Sequence, residues 1–176
     1  MTQLLDACQK GDRLAQKKLY EQYKDKMFVM CLRYANNRED AEDILQEGFV
    51  KVFRDLHQYK GLGNLEGWIR KVILNVALFY IRKKKSGPEV LELEKYAWKI
   101  EEEVSVFEEG QPGKGLVKLM QQLPPGFRTV LNLYVLEDFT HPQIAEALSI
   151  SVGTSKSQLS RAKDFLKSLL EKNLTS

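Results

Sequence analysis

The sequence predicts an all-α fold in which two small helical domains are joined by an acidic linker. Apolar residues recur at three- and four-residue spacing along nearly the whole chain, whereas the alternating pattern of β-strands is almost absent. Pro and Gly interrupt the helical pattern at 86–88 and again at 110–115. The 176 residues, 43% of them hydrophobic and 29% charged, can form two small cores and are too apolar for a disordered chain.

The first domain, residues 1–85, is predicted to begin with two long helices. Asp12 can cap a helix that runs to about Ala35, and Asn37 can cap a second helix that runs to about Leu56. The apolar residues of the second helix have helical spacing and should form one buried stripe. This stripe comprises Ile44, Leu45, Gly48, Phe49, Val52, Phe53 and Leu56. The charged residues of the same helix should therefore lie on its opposite face.

A loop rich in Gly and Asn at 58–64 separates these helices from a third helix. This helix should begin near Glu66 and end in the basic residues 82–85. From 66 to 85 there are six basic residues and one acidic residue. The third helix therefore offers a cationic surface suited to a polyanion.

The linker, residues 86–115, is acidic and is expected to contain some local helix at 91–107. Residues 86–111 carry eight glutamates and two lysines, a net charge of −6, while the whole chain carries +3. The rest of the chain therefore carries about +9, which favours a nucleic-acid partner.

The second domain, residues 116–176, is also predicted to be helical. One helix ends near Leu123, before a break at 124–126 that contains two prolines and a glycine. The next helix should run from Phe127 to about Leu136. Two further helices follow it towards the C-terminus.

These last two helices have the spacing of a helix-turn-helix motif. Thr140 and Gln143 have capping-box spacing at the start of a helix over 141–148, and the turn 149–151 leads into a longer basic helix. In such a motif the second helix enters the major groove of DNA. The candidate DNA-binding residues on it are Thr154, Lys156, Ser157, Gln158, Ser160 and Arg161. Any two short helices joined by a polar turn have this spacing, so the pattern alone leaves a purely structural interpretation open.

The composition argues against several classes of site. Cys8 and Cys31 are isolated among apolar neighbours and are expected to be buried structural thiols. His57 and His141 have no partners at ligand spacing, so neither a metal nor a cofactor is expected. No nucleophile, base and orienting residue occur together, so we expect neither an enzyme nor a small-molecule substrate. Without a signal peptide or a long apolar run, the protein is expected in the cytoplasm, with no membrane insertion.

Residues 40–49, Asp-Ala-Glu-Asp-Ile-Leu-Gln-Glu-Gly-Phe, closely resemble the signature of region 2 of the sigma-70 family of RNA polymerase sigma factors. In that family this helix docks on the clamp helices of the β′ subunit of core polymerase. The resemblance therefore implies that Glu42, Asp43, Gln46 and Glu47 bind polymerase. Without it, these side chains would be interpreted as a solvated helix face.

Residues 57–70 resemble the loop and helix with which region 2 opens the promoter. Strand opening requires a cationic surface for backbone phosphates and a pocket for an unstacked base. Trp68 and Phe53 are expected in the core rather than against a base. The candidates for binding the -10 element are Tyr59, Lys60, Asn64, Arg70, Lys71, Asn75 and Arg82.

Residues 123–128 and 144–162 are similar to sigma region 4, which binds the -35 element and the β flap of polymerase. Regions 2 and 4 in this order, without a region 3 domain between them, resemble the extracytoplasmic-function group. Ser149 replaces the usual turn glycine, Ser155 a usual valine, and Gln158 a common arginine. We expect the Ser155 hydroxyl to weaken the helix pair by about 1 to 2 kcal/mol, unless it bonds backwards to a carbonyl.

The resemblance implies a non-enzymatic protein that binds core RNA polymerase, recognises and opens promoter DNA, and belongs to a group commonly restrained by an anti-sigma factor. It also favours a linker that occupies the polymerase channel over one that is only a solvated spacer. Two alternatives remain, namely a free-standing helix-turn-helix transcriptional regulator and a helical protein-interaction adaptor. A gel shift with and without core enzyme distinguishes a free-standing regulator from a sigma factor. Salt-dependent promoter binding by holoenzyme would exclude the adaptor.

Overall fold

The computed structural model describes residues 2–85 and 114–174, and all regular elements within these ranges are helical. Contacts between Cα atoms divide the chain into two compact units, residues 1–80 and 81–176. The all-α prediction is confirmed, while the local helix expected at 91–107 lies outside the described residues. None of the described helices is both long enough and apolar enough to cross a membrane.

The first described range contains four helices and a short 3-10 turn. Their bounds are α1 Thr2–Gln9, α2 Arg13–Tyr34, α3 Arg38–Asp55, the turn Leu56–Gln58, and α4 Leu65–Lys85. Both predicted caps are present. The Asp12 carboxylate accepts a hydrogen bond from the Ala15 amide at 2.8 Å, and the Asn37 side chain accepts one from the Asp40 amide at 2.7 Å. These bonds satisfy amides that have no partner within their own helix.

The apolar stripe of α3 packs into the core of the first unit, as predicted. Phe53 is half-buried, and Phe49 packs edge-on against Tyr20 of α2 with ring centroids 4.8 Å apart. The buried members of the stripe are Ile44, Leu45, Gly48, Phe49, Val52 and Leu56. Since these residues occupy one side of α3, the opposite side lies in solvent.

Both cysteines are buried free thiols, as expected from the sequence, and this position predicts their reactivity. Cys8 is 1% exposed and Cys31 is 0% exposed. Burial raises the pKa of both thiols, that of Cys31 to about 12. Because the thiolate is the reactive form, we expect neither thiol to be alkylated by iodoacetamide near pH 8 in the native chain. Mass spectrometry should find both alkylated in guanidinium chloride; rapid alkylation of native Cys31 would contradict its position.

The second described range also contains four helices. Their bounds are α5 Lys114–Gln121, α6 Pro125–Leu131, α7 His141–Leu148 and α8 Val152–Leu174, with a π-helical turn at Asn132–Leu136. The predicted break at 124–126 is too long, because Pro125 occupies the first helical position of α6, where a missing amide hydrogen costs no helical bond. The helix predicted from Phe127 to Leu136 is divided between α6 and the π-helical turn.

Candidate functional site

The exposed side of α3 carries all four residues that the sequence suggested for polymerase binding. Each of these side chains is exposed. Val50, one turn farther along the same side, is 70% exposed and was not among the candidates, although its place outside the buried stripe could have indicated it. We call this surface the acidic face; it comprises Glu42, Asp43, Gln46, Glu47 and Val50. Its charge and exposed valine suit a cationic protein surface with an apolar centre.

Arg38 lies at the start of α3, beside the acidic face. Its Nε donates to Oε1 of Glu42 at 2.7 Å, and its guanidinium lies over the Phe28 ring, 5.6 Å from the centroid. An exposed pair of this kind adds little stability, so its main effect is to orient Glu42. Among the described residues neither Asp43 nor Glu47 forms an ion pair, which leaves both carboxylates available to a partner.

Asp40 belongs to the same sequence motif but is buried, with 8% of its surface exposed. The Tyr80 hydroxyl donates to its carboxylate at 2.5 Å, which joins the start of α3 to the carboxyl-terminal part of α4. No local pattern indicates this partner, because it lies 40 residues away in the sequence. Asp40 therefore holds two helices of the unit in place rather than facing a partner.

The exposed side of α4 brings together three of the residues suggested for the -10 element. Lys71, Asn75 and Arg82 are exposed, and their spacing of four and seven residues places them within about 40° of one another around the helix. Arg70 is half-buried and lies more than about 90° away from them. The structure therefore groups Lys71, Asn75 and Arg82 but does not bring Arg70 to the same side.

An aromatic residue that the sequence did not suggest lies on this side of α4. Phe79 is 58% exposed and follows Asn75 by one helical turn. Its exposure could have been inferred from its place opposite the buried positions Ile73 and Ala77, but phenylalanine is normally assigned to the core. Trp68, which was expected in the core, is only half-buried near the start of the helix. We call the residues on this side of the helix the α4 stripe; they are Trp68, Lys71, Asn75, Phe79 and Arg82.

The loop before α4 places Tyr59 against the start of this stripe. The Tyr59 ring lies 5.7 Å from the Trp68 ring, centroid to centroid, and its hydroxyl donates to the Gly63 carbonyl at 2.8 Å. Lys60, the next residue, is exposed. The tyrosine is therefore held in one orientation beside a cation, with its ring half-exposed.

The backbone of the same loop is fixed by two glycines and an asparagine cap. Gly61 and Gly63 have φ angles of +72° and +92°, which residues with a Cβ atom rarely adopt. Oδ1 of Asn64 accepts a hydrogen bond from the Glu66 amide at 3.0 Å at the start of α4. Asn64 is exposed, but part of its hydrogen-bonding capacity is used within the chain.

Helices α7 and α8 form the predicted helix-turn-helix. In the capping box, the Thr140 hydroxyl accepts from the Gln143 amide at 3.4 Å, and the Gln143 side chain accepts from the Thr140 amide at 2.8 Å. Ser149 ends α7 in the left-handed conformation with φ of 53°. This conformation costs a serine about 1 to 2 kcal/mol that the usual turn glycine avoids.

The buried hydroxyl of Ser155 has a partner that the sequence did not suggest. Ser155 is 0% exposed, and its Oγ lies 2.9 Å from Nδ1 of His141 on α7. The His141 ring stacks on Tyr134 with centroids 4.8 Å apart. The partner is therefore a side chain of the facing helix and not a backbone carbonyl of the preceding turn. This bond offsets about 1 kcal/mol of the weakening predicted for a serine in place of valine.

Of the six residues suggested for the -35 element, two are half-buried and four are exposed. Thr154 is half-buried, and its hydroxyl lies 2.8 Å from that of Ser151. Gln158 is also half-buried, and its amide packs beside Gly126 of α6, where its Oε1 is enclosed without a hydrogen-bond partner. Gln158 thus lies against α6 instead of in solvent. The exposed candidates are Lys156, Ser157, Ser160 and Arg161.

The candidate residues that the structure groups together lie on exposed sides of helices. In residues 2–85 and 114–174 no group of three or more His, Cys, Asp or Glu side chains could hold a metal ion. A shallow groove lies on the solvent side of α2 and is lined by Leu14, Lys17, Lys18, Glu21 and Gln22. The acidic face, the α4 stripe and the exposed side of α8 are therefore the candidate functional surfaces.

Two segments of the chain match known protein families. Residues 19–87 match the family described as Sigma-70 region 2, and residues 114–166 match the family described as Sigma-70, region 4. The first match includes the acidic face and the α4 stripe. The second includes the helix-turn-helix and the exposed residues of α8.

Curated relatives match along most of the chain. The ECF RNA polymerase sigma factor SigE of Mycolicibacterium smegmatis is 27% identical over 160 residues, and the match covers 88% of this chain and 61% of that protein. The ECF RNA polymerase sigma factor SigW of Bacillus subtilis is 29% identical over 174 residues, covering 92% of this chain and 91% of the relative. A solved structure of the sigma factor RpoE from Bartonella quintana, in complex with the anti-sigma factor NepR, has a TM-score of 0.53 at 20% identity. That alignment covers 88% of this chain and 96% of RpoE, and it supports the fold.

Proposed function

Because this chain belongs to the sigma-70 family, in its extracytoplasmic-function group, we propose that its three exposed surfaces bind core RNA polymerase and two promoter elements. Members of this group direct RNA polymerase to promoters and initiate transcription without catalysing a reaction themselves. We assign polymerase binding and the -10 element to residues 1–85 and the -35 element to 116–176, with 86–115 as the linker. The observation that carries this proposal is that the acidic face and the α4 stripe are separate exposed surfaces of neighbouring helices.

The acidic face is proposed to dock on the β′ clamp helices of core polymerase. Its support is the pair of exposed carboxylates of Asp43 and Glu47, which no described cation neutralises, together with the exposed Val50. Complementary charges would speed association and fix the register, whereas burial of the valine would lower the dissociation rate. Glu42 would contribute in an orientation set by Arg38.

The α4 stripe and the loop before it are proposed to bind the opened -10 element. Unstacking a base costs a few kcal/mol, and this cost must be offset by contacts that duplex DNA does not make. Tyr59 is held against Trp68 and can stack on such a base without losing much conformational freedom. Lys60 and Lys71 would bind backbone phosphates, while Asn75 can hydrogen-bond to a base edge.

The exposed side of α8 is proposed to bind the -35 element. Lys156 and Arg161 suit phosphates or guanine, and Ser157 and Ser160 can hydrogen-bond to phosphates or bases. The second unit is also proposed to contact the β flap. Each DNA contact is modest alone, but a linker raises the effective concentration of the second contact once the first is made.

Run-off transcription with purified core enzyme on genomic fragments tests the proposed function. We expect discrete transcripts that depend on this chain. A free-standing regulator would instead shift duplex DNA in gels without core enzyme, and an adaptor would give no salt-dependent promoter binding in holoenzyme. Either of these results, in the absence of transcripts, would overturn the proposal.

The proposed function also implies where in the cell the protein acts and suggests a further partner. Core polymerase and promoter DNA lie in the cytoplasm, so we assign the chain to that compartment. An anti-sigma factor is an expected third partner, and the Bartonella RpoE structure is a complex with such a factor, NepR. Copurification from cells followed by mass spectrometry tests whether an anti-sigma factor binds this chain.

A further inference from the structure

Phe79 is the most exposed aromatic side chain among the described residues. Within that part of the chain its ring contacts no other aromatic ring and lies under no cation. A phenylalanine in water forgoes the burial that its ring normally gains, and it has no polar group with which to bind solvent. Its position therefore suggests a ligand that covers the ring.

The neighbours of Phe79 on the α4 stripe are polar or cationic. Asn75 precedes it by one turn, and the two residues are about 6 Å apart along the helix axis. Arg82 and Lys83, both exposed, follow it at the next turn. The single acidic residue of α4, Glu66, lies three turns away and pairs with Lys26 at 2.8 Å, so it does not oppose an anion near the ring.

We propose that Phe79 stacks on an unpaired base of the opened promoter strand, beside the base that Asn75 contacts. This inference rests on the proposed function of the α4 stripe in binding the -10 element. Aromatic rings interleaved with cations bind single strands, because the rings cover base faces while the cations meet phosphates. A protein partner would instead be expected to use a contiguous apolar patch, which the polar neighbours of Phe79 do not provide.

Stacking on Phe79 also makes the contact selective for open DNA. In a duplex both faces of each base are covered by neighbouring pairs, so the ring can cover a base only after that base has left the stack. Phe79 thus stabilises the opened state and not the closed one. Its removal should therefore affect strand opening more than initial promoter binding.

Binding of reconstituted holoenzyme to a fluorescent single-stranded oligonucleotide that carries the -10 region of a promoter it uses tests this inference. Phe79→Ala should weaken binding about tenfold, within the range for loss of one base stack. Phe79→Trp should stay within about twofold of the natural chain because it retains a stacking ring, whereas Phe79→Leu should resemble Phe79→Ala. On duplex promoter, permanganate reactivity of unpaired thymines should fall in parallel.

Two further variants separate the possible failures. Leu14→Ala removes another exposed apolar side chain, 73% exposed on α2, and should leave strand binding unchanged. If Asn75→Ala weakens strand binding but Phe79→Ala does not, the stacking role is wrong while the proposed function of the α4 stripe stands. If neither variant has an effect, the stripe itself does not bind the strand. Full binding by Phe79→Leu, or a loss of core polymerase affinity by Phe79→Ala, would also overturn the stacking role.

Discussion

Reversing the charges of Asp43 and Glu47 to lysine is expected to lower the affinity of the chain for core RNA polymerase about 100-fold, close to 3 kcal/mol. Both carboxylates are exposed and form no ion pair with a described residue, so the substitutions remove no internal contact. They place two cations where the partner is expected to present cations as well. Titration of the labelled double variant with core enzyme measures the loss, and its free energy of unfolding should change by less than about 0.5 kcal/mol.

A matched double variant separates a specific interface from a general effect of charge. Asp6→Lys with Asp25→Lys makes the same change in net charge at exposed positions of α1 and α2. We expect this control to bind core enzyme nearly as well as the natural chain at physiological salt, since charges beyond about 8 Å from the partner are largely screened. Equal losses in both double variants would show that the acidic face has no special part in docking.

Replacing Gly48 by leucine is expected to lower the free energy of unfolding of the first unit by about 3 kcal/mol. A Cβ atom at this position would lie 2.8 Å from Cγ1 and 3.1 Å from Cγ2 of Ile73. Ile73 is fully buried and branched at Cβ, so it has few rotamers with which to make room. Leucine favours a helix over glycine by nearly 1 kcal/mol, which makes a loss of stability the opposite of what helix propensity predicts. Chemical denaturation followed by circular dichroism measures the change.

Gly67 provides the control for this prediction. Apart from its chain neighbours and the backbone of its own helix, a Cβ atom there would meet no atom within 4 Å, so Gly67→Ala should leave stability unchanged or raise it by up to about 1 kcal/mol. Combining Gly48→Leu with Ile73→Ala should cost less than the sum of the two single changes, because the smaller side chain leaves room for the leucine. Simple additivity would mean that these two residues do not set the separation of α3 and α4.

Short-range signals predicted those parts of the fold that depend on neighbouring residues. The caps at Asp12 and Asn37, and the capping box of Thr140 with Gln143, each form within three residues of chain and could be identified from residue type and spacing. The buried stripe of α3 followed in the same way from helical periodicity. The helix start predicted at Phe127 was wrong, because proline both ends helices and begins them and Pro125 here begins α6.

Contacts between distant residues were not predictable from the sequence. The short helix α1 depends on tertiary contacts such as the bond from the Gln9 amide group to the Leu56 carbonyl at 3.3 Å, since eight residues form no stable helix alone. The pairing of Tyr80 with Asp40 likewise brings together residues 40 positions apart. At the candidate surfaces, residue type alone does not predict which side chains are exposed. Phe79 lies in solvent although phenylalanine is usually buried, and Gln158 lies against α6 although glutamine is usually exposed.

The affinity of the purified chain for core RNA polymerase at low ionic strength is the most direct measurement of its function. We expect a dissociation constant in the nanomolar range, about −12 kcal/mol, which weakens as salt is added because the acidic face contributes charge. We also expect the resulting holoenzyme to bind promoter DNA more tightly than either component alone. Absence of binding to core enzyme at low ionic strength would contradict the assignment of the acidic face and, with it, the proposed route to the promoter.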